Sequence, residues 1–474
     1  MNTLSIESAE LIRADIRTRL PFKYGITTMV DVPHVFLRLV VRTPAGTFRG
    51  VAADHLPPKW FTKDPTRSVP GEIDDMMAVV QHAATAARAL SAPTVFRFWQ
   101  ELWAAQTAWA TAQSHPPLLA HFGTSLVERA VIDAVTRSQG ANFERLLQAN
   151  FFGIRLDEID PTLGSAEPAD LLPRRNSDTI LCRHTVGLAD PLTDAEIADA
   201  DKLRDGLPQS LEANIRRYGL CHFKIKTDGS NPDGALARLR AVFAVLAREV
   251  KSGLAFSLDG NESFSSAEAF RDFWRRVEGD SAVQPMLRHL LFVEQPLSRL
   301  VALDPARANL TSWADRPPII IDESDAELAD LHRALELGYA GTSHKNCKGI
   351  FKGVAHACRL RPQVNRPRLI HSGEDLCNIG PVALLQDLAV QAALGVESVE
   401  RNGHHYFAGL SSWPAGIQEA VLAAHPDLYA ATERGWPALI VREGKISTRS
   451  VVAAPLGVAA ELPFDQIVGP RFSL

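Results

Sequence analysis

The chain has 474 residues, 46% of them hydrophobic, enough to bury a sizeable core in one large barrel with additions or in two or three domains. Its formal charge of −5 is small for that length and no basic patch dominates, which argues against nucleic acid or an anionic membrane as a partner. The cysteines Cys182, Cys221, Cys347, Cys358 and Cys377 form no CxxC pair and no apolar run approaches the roughly 18 residues of a membrane span, so the sequence reads as a soluble, cytoplasmic protein with reduced thiols.

Two strand-like runs lie within residues 12–42, and Ala45-Gly46 turns the chain into a third at residues 47–51. Between the first two, residues 21–27 read as a loop, with Tyr24 a candidate to face a ligand. Residues 71–112 are alanine-rich with helical spacing, and 125–137 read as a further helix. The first 150 residues are therefore expected to form an α+β unit. Residues 157–178 are polar and broken by prolines, as at a boundary or surface excursion.

From Thr179 onward, strand and helix alternate. Apolar runs at residues 179–186, 222–226, 256–259, 290–293 and 319–321 are each followed by polar loops and helical periodicity, and three more strand ends come near Lys345, His371 and Glu400. Eight strands of one type with helices between them predict a parallel (β/α)8 barrel over residues 151–410. Past Gly409 the rhythm stops; residues 439–446 read as a β-hairpin with a glycine turn, and residues 411–474 are expected to rejoin the N-terminal unit as part of a capping domain.

Three barrel strands end in acids: Asp259 with Asn261, then Glu294, then Asp322 with Glu323. The intervals, 35 and 28 residues, match a parallel crossover unit, so the acids recur at equivalent strand ends. One such acid is ordinarily a loop residue or a helix cap; three in register point to a shared metal site on Asp259, Glu294 and Asp322. Oxygen ligands favour Mg2+, with Mn2+ as a substitute, and His344 and Cys347 match no zinc spacing. Lys224 and Lys226 are two apart and share a strand face, while Lys345 ends the sixth strand, opposite the second. Lys226 and Lys345 are thus placed to flank a substrate, and the crowding of Lys224 and Lys226 near a dication is expected to lower the pKa of one of them toward that of a usable base.

The ordered set Lys-x-Lys, Asp-x-Asn, Glu-Gln-Pro, Asp-Glu-Ser and a sixth-strand lysine resembles the enolase superfamily in its mandelate racemase and muconate-lactonizing branch. The stretch from Arg19 to Gly25 resembles that family's mobile capping loop, Ser125-Leu126-Val127-Glu128-Arg129-Ala130 the helix leading into its barrel, and Ala454-Pro455-Leu456-Gly457-Val458 its C-terminal signature. The resemblance implies a magnesium enzyme that removes the proton α to a carboxylate, the metal stabilising the enediolate. It implies Lys226 and Lys345 as acid/base pair, Lys224 as electrostatic support, Asp259, Glu294 and Asp322 as ligands, and Glu323 beside them. The racemases' seventh-strand histidine is sought at His371, while Glu374 departs from the family in standing six residues before Gly380 rather than four. Glu400, His404 and the aromatic run to Tyr406 are candidates for substrate selection. The expected reaction is racemisation, epimerisation or cycloisomerisation, with dehydration of an acid as alternative and a non-catalytic acid-binding barrel as a third. A small carboxylate is the expected partner and a homo-oligomer the expected assembly.

Overall fold

The computed structural model describes residues 3–174, 177–361, 369–459 and 461–474. Three antiparallel strands open the chain, β1 (Leu4–Tyr24), β2 (Thr27–Thr43) and β3 (Gly46–His55). The expected loop at residues 21–27 is instead the end of the β1–β2 ladder. Phe22 pairs with Met29 and Tyr24 with Thr27, and the turn shrinks to Gly25-Ile26, with Gly25 at φ 48°. Pro21, which has no N–H to give a ladder, falls in a register shift between Arg17 and Phe22, so pairing resumes beyond it.

The alanine-rich stretch forms two helices, α1 (Val69–Arg88) and α2 (Val95–Ala112). Pro93 stands between them, and the Thr94 side chain accepts the Arg97 N–H to start α2. Helix α3 (Pro117–Ser138) is buried almost all round, between the sheet and the other helices. A Cβ at Gly50 would lie 1.9 Å from the Ala130 carbonyl oxygen, so only glycine lets α3 approach β3 this closely. Burial of α3 forces its charges to pair: Arg129 donates to Asp54 at 2.8 Å and to the Ala53 carbonyl at 3.0 Å.

Eight parallel strands follow: Thr179–Val186, His222–Lys226, Ala255–Asp259, Leu290–Glu294, Ile319–Ile321, Gly341–His344, Ile370–Gly373 and Ser398–Arg401, here barrel strands 1 to 8. Strand 8 pairs back onto strand 1, Val399 beside Cys182, and closes a (β/α)8 barrel. Alternation along strand 2 turns Phe223 and Ile225 toward the helices, where full burial of each is worth ~1.5–3 kcal/mol, and leaves Lys224 and Lys226 on the inner face.

The C-terminal strand Arg471–Ser473 pairs with Glu10–Ile12 of β1, so the chain's end completes the capping sheet. The expected hairpin at residues 439–446 shrinks to its glycine turn: Arg442 and Lys445 form an antiparallel bridge across Glu443-Gly444, with backbone hydrogen bonds of 3.0 and 2.9 Å, and the flanking strands pair elsewhere. Pro437–Leu439 pairs with Tyr429–Ala431, whereas Lys445–Ser447 runs antiparallel to Thr179–Leu181 of strand 1. Strand 1 begins ahead of its pairing with strand 2, which starts at Arg183, and the spare backbone edge takes this segment. Among the described residues no helix is long and apolar enough to cross a membrane.

Candidate active site

The barrel pleat sets Lys226, Asp259 and Glu294 side by side in register on strands 2, 3 and 4. One layer lower, Lys224 is buried among acids: its Nζ lies 2.8 Å from Glu294 Oε1, 2.8 Å from Glu400 Oε2, 2.9 Å from Glu374 Oε2 and 3.2 Å from Asp259 Oδ2. Lys226 Nζ donates to Asp259 Oδ2 at 2.6 Å and to Asn261 Oδ1 at 3.3 Å. Lys345, just past strand 6, bonds Asp322 Oδ2, lies 3.2 Å from Glu374, and places its ammonium 4.7 Å from the centre of the Trp60 ring. Asp322 Oδ1 accepts from Ser343 and, at 3.1 Å, from Lys348, and Gln295 Oε1 accepts the Asp322 N–H at 2.7 Å.

The carboxylates that converge are Glu294, Asp322 and Glu374, each with an oxygen within 4.8 Å of the others. Asp259, expected beside Glu294 and Asp322, is drawn to the lysines instead, and its other oxygen takes the Asn261 N–H at 2.8 Å. Burial and then Glu374, Asp259 and Asp322 push the Glu294 carboxyl well above its usual range, and its Oε2 is buried without a hydrogen-bond partner. Three crowded carboxylates, one of them carrying an orphaned buried oxygen, fit a hard dication. Burial opposes charge on Glu374 too, but Lys224, Lys345 and Arg183 outweigh it and hold that carboxylate well below its usual range.

The acids of the cluster by themselves hold the lysines high; the expected fall belongs to a site that also carries a dication. Burial alone would lower Lys224 and Lys345, yet Glu294, Glu374, Glu400 and Asp259 around the first, and Asp322 and Glu374 around the second, raise both well above an ordinary lysine. Lys226 is raised as well, burial being overcome by Asp259. Acids rather than fellow ammonium groups are each lysine's nearest neighbours, and that decides the sign.

Above the charges a cavity of about 50 Å3 is roofed by the cap. Phe22, Tyr24, Met29 and Trp60 meet Leu376 and Cys377 from the loop after strand 7, with Lys224, Lys226, Lys345, Glu323 and Glu400 below. Phe22 stacks on Tyr406 at 4.1 Å and the Tyr24 hydroxyl donates to the Pro58 carbonyl at 2.7 Å. Arg299, bound to Glu262 at 2.7 and 2.9 Å, donates to the carbonyls of Trp60 and Phe61 and so fixes the indole over Lys345. Glu323 lines this cavity and makes no hydrogen bond among the described residues; burial, then Asp322 and Glu262, raise it to about 7.

Not every residue singled out from sequence reaches this pocket. His371 opens into a separate cavity near the starts of the strands, with His222, Phe292 and Ile370. His404 is buried with Nε2 3.0 Å from His184 Nδ1 and faces a small apolar cavity beside Tyr218. Sequence reasoning passed over Trp60, Arg183, Ser343 and Lys348. Lys348 had a signal, three residues after Lys345; Trp60 had none, because its role depends on the cap folding over the barrel.

No family model matches the chain and no curated protein matches its sequence. Solved structures do match in fold. N-succinyl Arg/Lys racemase from Bacillus cereus is 14% identical with a TM-score of 0.63, covering 99% of this chain and 100% of that one. An enolase from Bradyrhizobium complexed with magnesium and mandelic acid is 15% identical with a TM-score of 0.58, covering 98% of each chain. Muconate lactonizing enzyme from Pseudomonas fluorescens, complexed with muconolactone, is 17% identical with a TM-score of 0.57, again covering 98% of each.

Proposed function

We propose that this chain, whose fold is that of the enolase superfamily in its mandelate racemase and muconate-lactonizing branch, is a metal-dependent enzyme that removes the proton α to a carboxylate, acting as a racemase or epimerase. The observation that carries this reading is the entry of Lys226 and Lys345 into one roofed cavity from barrel strands 2 and 6, opposite walls of an eight-stranded barrel, with Glu294, Asp322 and Glu374 between them. Those three acids are the candidates to hold the metal, and a dication bound there supplies electrostatic stabilisation for charge developing on the substrate carboxylate.

The chain's own groups then divide the work. One lysine Nζ, in its neutral form, accepts the α-proton; the other, as ammonium, returns a proton to the opposite face. Lys224, gripped by four carboxylates, stays charged and screens them. A dication held by Glu294, Asp322 and Glu374 would engage carboxylates that hold Lys345 protonated, and its charge would disfavour the ammonium form, which is the condition a lysine base requires. The apolar roof of Phe22, Tyr24, Met29, Trp60 and Leu376 suits a small acid with an apolar substituent. Glu323, unbonded at the cavity wall, favours dehydration as the second reading, since its carboxyl is free to serve a leaving hydroxyl.

The test is deuterium uptake from heavy water into a panel of α-hydroxy, N-acylamino, dipeptide and sugar acids, with magnesium and with chelator. Magnesium-dependent uptake at one α-carbon is expected. Lys226→Ala and Lys345→Ala should each abolish exchange from a different enantiomer, and equal residual exchange from both enantiomers in both variants would sink the opposed-base assignment. Loss of water from the substrate in place of inversion would select the second reading.

A further inference from the structure

A second cleft, of about 630 Å3, opens on the flank of the barrel. Its walls are the segment 204–207, the end of the helix Leu211–Tyr218, and the ribbon of Tyr429–Ala431 and Pro437–Leu439 with the residues that continue it. That volume lies in the range of small-molecule sites. Four exposed guanidiniums, Arg204, Arg217, Arg434 and Arg442, line it.

The charges around the cleft leave an excess of positive charge on these arginines. Among the described residues none of the four joins an ion pair, whereas the adjacent Arg216 is paired with Glu212 and Glu249. Two carboxylates line the cleft, Asp205 and Glu433. Asp205 is already committed: its oxygens take Arg19 at 2.7 and 3.0 Å, and one also accepts the Leu207 N–H at 3.0 Å. Arg434 makes its hydrogen bond to the Arg204 carbonyl, which holds two of the cationic segments together instead of letting them separate. With Asp205 paired to Arg19, four guanidiniums face one further carboxylate, Glu433, and a concave surface with such an excess of positive charge concentrates anions.

The inner wall has the opposite character. Leu207, Tyr218, Leu439 and Val441 line it, and the first three continue into a smaller apolar cavity with Ile379, Leu384 and Tyr429. An occupant complementary to both zones has several negative charges at one end and an apolar or planar body at the other. Guanidinium groups bind phosphate oxygens in pairs of parallel hydrogen bonds, so phosphate suits the charged end.

We propose that this cleft is a binding site, separate from the active pocket, for a phosphorylated organic anion of the nucleoside diphosphate type, with the phosphates on Arg204, Arg217, Arg434 and Arg442 and the body against Tyr218 and Leu439. The assignment does not depend on the reaction proposed above. Its test is calorimetric titration of the full chain, in chelator so that no metal bridges ligand and acids, with ADP, inorganic pyrophosphate and citrate as probes. ADP should bind one to one and about tenfold or more tighter than pyrophosphate, which offers the charge without the body. The double variant Arg217→Ala with Arg442→Ala should weaken ADP about tenfold or more, the double lysine variant should recover part of the loss, and Arg155→Ala, on a remote exposed ion pair, should change nothing. Absence of binding by ADP, or unchanged ADP affinity in the double alanine variant, would overturn the site; citrate binding as tightly as ADP would overturn its assignment to phosphate.

Discussion

Lys224→Met tests the central electrostatic claim, that one buried ammonium holds the acids of the active pocket together. Methionine keeps much of the side-chain length and removes the charge, so Glu294, Glu374, Glu400 and Asp259 lose a partner lying 2.8 to 3.2 Å away. Breaking a buried charge pair while leaving its other members in place typically costs about 3–5 kcal/mol, and that is the expected loss of unfolding free energy at pH 8 with chelator present. The sign with pH follows from the acids. Glu294, already held well above its usual range by burial and its neighbouring acids, rises further without Lys224, so the variant loses stability as pH rises through that raised value. The deficit should therefore be smaller at pH 6. Magnesium should return part of it, about 2.7 kcal/mol at a concentration 100 times the dissociation constant. Urea unfolding at the two pH values, with magnesium and with chelator, reads all of this. A deficit below about 1 kcal/mol, equal at both pH values, would refute the reasoning, since it would show that the acids hold their places without the ammonium.

Other substitutions separate parts of the site and of the scaffold. Glu374→Gln should weaken magnesium binding roughly 10–100-fold and more than Asp259→Asn does, because Glu374 converges with Glu294 and Asp322 while Asp259 is taken up by lysines; the reverse order would return Asp259 to the ligand set. His121, stacked on Trp103 at 3.3 Å and bonded to Thr124 at 3.2 Å, is pushed down to about 3 by burial and by Lys352. It stays neutral when folded, so its contribution is full above the ordinary histidine value and is lost as pH falls from there toward 3, amounting to about 2 kcal/mol by pH 5. His121→Gln should flatten the fall in stability between pH 7 and pH 5 by about that amount, and an undiminished fall would place the proton uptake elsewhere.

Much of the barrel and part of the site could be read from local pattern. Strand alternation has a period of two, so Lys224 and Lys226 had to share a face wherever that strand ended up. Crossover units have a characteristic length, so Asp259, Glu294 and Asp322 had to recur at equivalent strand ends. The cap was less legible. Pro21 and Gly25 look like a loop on their own, and only pairing of the buried Phe22 and Tyr24 with β2 carries the strand past them.

What the sequence determined by itself is therefore the inventory: a parallel barrel, its inward lysines and its row of acids, all set by spacings within a few tens of residues. Which of those groups meet was decided by tertiary structure. His371 stands three residues before Glu374, about 10 Å down an extended strand, and that offset puts the histidine in a cavity near the strand starts and the glutamate at the metal cluster. Lys345 acquires its indole neighbour because Arg299, on the barrel, grips the carbonyl of Trp60, on the cap. The four arginines of the flank cleft come from segments more than 200 residues apart in the chain. Ionic and aromatic contacts of this kind act over a few ångströms of space regardless of separation along the chain, so no local pattern of residues encodes them, and closure of the barrel beneath its cap is what brings them into being.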